Sequence, residues 1–100
     1  MTAYVVITRE RTTDQAELDL YRKTAPAARA GHALTPLAFY GHHEVLEGAP
    51  LEGAVIMSFP TTAEARAWYD SPLYQAALPH RLRGSESRVF IIEGVDATPT

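Results

Sequence analysis

The chain of 100 residues contains no cysteine. That excludes a disulfide, a thiol nucleophile and any zinc site built on thiolates. Positive charge is also scarce: nine Lys and Arg stand against twelve Asp and Glu, for a formal net charge of −3. Partners held by general electrostatics need basic patches, so neither nucleic acid nor an anionic membrane is expected. Long apolar runs are missing, and none approaches the roughly 18 residues of a membrane-crossing helix. The start, Met1–Arg9, has no basic segment leading a long apolar run, so it does not resemble a secretion signal. A cytoplasmic protein is the default. Phosphate-binding loops, dinucleotide-binding turns and Gly-x-Ser-x-Gly elbows are absent too, as are internal repeats and low-complexity stretches.

What is present suits one globular domain over residues 1–100, with 46% hydrophobic and 21% charged residues. Ala3–Arg9 is β-branched and aromatic without alternation, which predicts a strand buried on both faces. Asp14 to about Ala30 has helical spacing at Leu18, Tyr21, Ala25 and Ala28. Asp14 and Glu17 form a capping-box pattern. Pro26 should kink or split this helix, and Gly31 suits a left-handed stop. Leu34–Leu46 is expected to be a long second strand, with Pro36 near its start or on an edge and a bulge at Gly41. Glu47–Gly53 is a turn, and Ala54–Phe59 is a third strand forming a hairpin with the second.

The stretch Ser58–Arg81 is the densest in signals. Thr61 and Glu64 form a capping box. Trp68 and Tyr69 load the first helix, and Ser71-Pro72 restarts a second. Pro79 should kink or end that second piece. Gly84–Ser87 is expected to be a polar loop, and Arg88–Val95 a fourth strand. The order β-α-β-β-α-β predicts an α+β ferredoxin-like plait. Three of its strands are apolar on both parities, yet two helices cover one face of the sheet. The other face calls for a partner, and a second copy is the simplest one. A homodimer is therefore expected. The predicted core includes Val6, Val55, Phe59, Trp68, Leu78 and Ile91.

Several of these residues also carry a resemblance. Phe59-Pro60, Trp68-Tyr69-x-Ser71-Pro72-x-Tyr74-Gln75, Arg81 and Glu93-Gly94 resemble the domain-of-unknown-function family numbered 1330. Glu44–Gly48 matches that family's hairpin turn. The resemblance covers nearly the whole chain and implies a dimeric α+β barrel, two plaits packed sheet to sheet. It implies no assigned activity. The chain departs from the family pattern at Phe39-Tyr40-Gly41, where Arg-Gly-Gly is frequent, and at Gly53 and Ser58, where charged residues are common. Those departures predict a less polar pocket, with a carboxylate ligand disfavoured.

Candidate chemistry starts with His42 and His43, since histidine suits proton transfer near neutral pH. On a regular strand these neighbours point to opposite faces, so only one would face inward and the pair could not chelate a metal together. No metal or cofactor is expected. The competing reading makes them edge or interface histidines. Phe39, Tyr40, Tyr69 and Arg81 are candidates for substrate binding, as aromatic walls and a charged handle. Arg81 competes with an alternative in which it pairs with Glu86 or Glu93. The pocket is expected between the sheet and the Ser58–Arg81 helices, or in the barrel seam beside them. Two functions follow: an enzyme without cofactor acting on an apolar or aromatic small molecule, or a non-catalytic ligand-binding or structural homodimer.

Overall fold

The computed structural model describes residues 1–95. Strand β1 spans Ala3–Thr12, helix α1 Gln15–Thr24, and a 3-10 helix Ala25–Arg29. Then come β2 (Thr35–Phe39), β3 (Gly53–Phe59), α2 (Thr62–Asp70), α3 (Pro72–Gly84) and β4 (Ser85–Glu93). The four strands form one antiparallel sheet in the order β2-β3-β1-β4. This is the ferredoxin-like plait expected from the order of elements.

Each α-helix begins where a side chain satisfies its free amides. Asp14 accepts from the amides of Ala16 and Glu17, Thr61 from Glu64 at 3.1 Å, and Ser71 from Tyr74 at 3.3 Å. Pro26 splits the first helical stretch as predicted: α1 gives way to the 3-10 helix one residue earlier, and Gly31 follows at φ +80°. Pro79 does not end α3, which continues for five more residues to Gly84. Its ring lies on an exposed position, so the helix loses one backbone bond there without a clash against the sheet.

Two boundaries differ from expectation. The second strand stops at Phe39, because Tyr40 adopts φ 52° and turns the backbone out of the sheet. The irregularity in β2 lies at Leu37, between the paired residues Pro36 and Ala38, and not at Gly41. The predicted polar loop Gly84–Ser87 is instead the last residue of α3 followed directly by β4. The amides of Thr13 and Asp14 bond the Gly84 carbonyl at 2.8 and 3.1 Å, and β1 extends to Thr12 to pair with Ser85. Serines occur there because that end of the strand faces a cavity, not because it is a loop.

The helices cover one sheet face. On β1 the covered positions are Ala3, Val5 and Ile7, and on β3 they are Val55, Met57 and Phe59. Trp68 and Tyr74 complete this core, with ring centroids 4.3 Å apart. Of the predicted core residues, Val55, Phe59 and Trp68 are buried, while Leu78 and Ile91 are half-buried and pack against them. Val6 has the other parity. Ala38, Ile56, Val6 and Phe90 form a row of register partners across the opposite face. Phe90 and Ile92 stay 46% and 54% exposed there. At one end of the sheet, where β1 starts and β4 finishes, the Gly94 amide bonds the Thr2 carbonyl at 2.7 Å.

Candidate functional site

A cavity of about 310 Å3 lies between the covered sheet face and the α1/3-10 stretch. Its floor is the register row Phe39, Val55 and Ile7, with Met57 beside it. One wall is Leu18, Tyr21 and Arg22, which share one face of α1 by i, i+3 and i+4 spacing, followed by Ala25 at the start of the 3-10 helix. Pro26, Arg29 and Leu34 continue that wall. Trp68 closes the cavity from α2, and Arg81, Ser85 and Ser87 close it from the junction of α3 and β4. The cavity thus has more of its wall from α1 and the 3-10 helix than from the Ser58–Arg81 helices, which contribute Trp68 and Arg81.

Tyr40 sits at the mouth. Its left-handed backbone lays the ring on Gly53, where a side-chain carbon would stand 2.7 Å from Tyr40 Cδ1. The Arg9 guanidinium packs over the same ring at 4.8 Å. Arg9 is in turn held by Glu52 at 3.2 Å. Hydrogen bonds from Thr12 and the charge of Arg9 lower the Glu52 carboxyl below its ordinary range. Arg29 lies over the Phe39 ring at 5.8 Å.

Deeper in, Arg81 is only 4% exposed. Its Nη1 donates to Ser87 Oγ, while Ser85 Oγ donates to the Arg81 carbonyl at 3.0 Å. Its Nε and the Trp68 Nε1 are buried without a hydrogen-bond partner. The Tyr21 and Tyr74 hydroxyls bond each other at 2.9 Å. Burial, then the neighbouring Tyr74, pushes the Tyr21 phenol far above its ordinary value, so the hydroxyl stays neutral.

The candidates named from the sequence divide. Phe39, Tyr40 and Arg81 all line the cavity. Tyr69 does not; it packs against Trp68 and Tyr74 at 6.4 and 5.4 Å. His42 and His43 are exposed and line no part of the cavity. They lie in the irregular segment after Tyr40, so the strand alternation that would have sent one inward does not operate. His43 Nε2 donates to the Leu51 carbonyl at 2.8 Å. Among the described residues, no group of three or more His, Asp or Glu is placed to hold a metal ion.

Sequence reasoning missed Arg9, Arg22, Arg29, Tyr21, Ser85 and Ser87. The signal was available. Arg9 continues the inward parity of Val5 and Ile7, and Ser85 and Ser87 continue that of Val89 and Ile91. Polar residues on an otherwise apolar inward parity mark a cavity. The lining is mostly apolar, but four arginines stand in it, more charge than the departures from the family pattern predicted.

Among solved structures, a protein of unknown function from Rhodopseudomonas palustris superposes with a TM-score of 0.73 at 14% identity. The match covers 95% of this chain and 83% of that one. A dimeric protein of unknown function with a ferredoxin-like fold from Bacteroides fragilis matches at 0.62 and 11% identity, over 93% and 96% of the two chains. SnoaB, a cofactor-independent oxygenase from Streptomyces nogalater, matches at 0.57 and 14% identity, over 99% and 97%. At these identities the likeness is one of fold. No curated protein matches this chain. The family model of the domain of unknown function (DUF1330) matches residues 2–95, and the chain belongs to that family.

Proposed function

We propose that this chain is a homodimeric small-molecule-binding protein whose cavity takes an apolar or aromatic body. One observation carries the reading: a preformed, mostly apolar cavity of about 310 Å3 with a few convergent polar groups. That is the build of a small-ligand site. The dimer is supported by the uncovered apolar row on the far sheet face and by dimeric proteins of the same fold. The acid–base role considered for His42 and His43 has no support in the geometry. Oxygenase activity belongs to a neighbour of the same fold and does not transfer with it. The non-catalytic reading is therefore preferred.

The test is a thermal-shift and calorimetric screen of neutral and acidic aromatic and aliphatic compounds small enough for the cavity. A compound binding only the folded state, at one hundred times its Kd, stabilises it by about 2.7 kcal/mol. The expected outcome is a raised midpoint for part of the panel. Unchanged midpoints across the panel would leave a structural dimer as the function.

A further inference from the structure

We infer that the cavity's ligand is an organic carboxylate, and that Arg81 holds its charged end. This rests on the cavity being a ligand site. The chain is acidic overall, yet four of its nine basic residues line this one cavity, and no Asp or Glu does. Local charge therefore runs against global charge. Arg9 is neutralised by Glu52. Among the described residues, Arg22, Arg29 and Arg81 have no carboxylate within 4.0 Å, although ion pairs occur elsewhere on the chain.

Arg81 is the telling member. It is the buried one, and burying a guanidinium with an unmet donor is unfavourable unless an acceptor arrives. The bond from Nη1 to Ser87 fixes the plane of the group and leaves Nε without a partner. A carboxylate docks on an arginine through parallel N–H donors, and Arg81 lines the cavity with its buried Nε still unpaired. The apolar lining includes the floor residues Ile7, Val55, Met57 and Phe39, and Trp68 above them. They can desolvate an apolar tail but offer little to a small inorganic ion. An apolar or aromatic acid satisfies both halves of the site.

The test uses the 15N-labelled protein titrated with benzoate, 2-naphthoate and decanoate, each against its own methyl ester. Trp68 is the chain's single tryptophan, so one indole N–H signal reports occupancy of the cavity. The expected result is at least one acid binding tenfold or more tighter than its ester, with movement of the Arg81 Nε–H signal for the acid alone. Arg81→Gln should erase that preference and retain the affinity for the ester. If this buried variant does not fold, the Nε–H signal of the unaltered protein decides. Equal affinity of acids and esters overturns the carboxylate inference and leaves the small-molecule reading standing. An acid preference with a motionless Nε–H signal overturns the role of Arg81. An indole signal unmoved by any acid or ester overturns both.

Discussion

Tyr21 and Tyr74 share one hydrogen bond but not one environment. Tyr74 is fully buried, whereas Tyr21 borders the cavity. Removing either hydroxyl breaks the same bond with different consequences. Tyr21→Phe strands the Tyr74 hydroxyl in the core and is expected to cost about 1–3 kcal/mol. Tyr74→Phe leaves Tyr21 facing the cavity and should cost about 0.5–1.5 kcal/mol. Urea midpoints of the two variants, at unchanged slope, check the order. The raised pKa of Tyr21 has its own signature. Its unfolded value is 10.0 and its folded value is higher, so its contribution is complete below pH 10. As pH rises above that, the unfolded chain ionises first and stability falls. Tyr21→Phe should flatten that alkaline decline. None of this was legible beforehand. Tyr21 entered only as a helix-periodic residue, because its partner stands 53 residues away and only the fold pairs them.

The elements themselves were largely legible, because caps and breakers act locally. Thr61, Ser71-Pro72 and Pro26 set helix boundaries through their own side chains, and the structure follows them. The errors fell where long-range contact decides. A run such as Leu34–Leu46 looks strand-like throughout, yet Tyr40 leaves the sheet to cover Gly53 and Arg9. Gly84–Ser87 looks like a loop by composition, yet β1 pairs with it. Histidines assigned to a strand consequently lost their strand geometry. The helix–strand junction at Gly84 also leaves no room. A side-chain carbon there would stand 2.9 Å from Leu18 Cγ and 3.0 Å from the Asp14 carbonyl oxygen, the latter on rigid backbone. Gly84→Ala is expected to destabilise by about 1–3 kcal/mol through overpacking. Gly41→Ala, with nothing within 4 Å, should be close to neutral. Paired urea titrations of the two variants separate a crowded glycine from an uncrowded one.

For the whole molecule, the far sheet face sets the expected assembly. Ile56, Val6 and Phe90 lie side by side, with Tyr4 and Ile92 in the next row. Two copies packed through this surface would bury it without disturbing the cavity, which opens on the other side of the sheet. Light scattering is expected to give twice the 11.0 kDa chain mass at micromolar concentration. Phe90→Asp should shift the protein to the single-chain mass while the indole N–H signal of Trp68 keeps its position. An unaltered protein that scatters as a single chain would contradict the dimer. This expectation was the most legible part of the sequence, since apolar residues on both parities of a strand need no fold to be noticed. The adjacency of Thr2 and Gly94 carries a different consequence. With the start of β1 and the finish of β4 side by side, the order of segments is separable from their arrangement in space. A chain joined there by a short polar linker and opened within the exposed 44–50 stretch would start on β3 and finish on β2. It would trace the same four strands in a new order, with every wall of the cavity still drawn from the same residues.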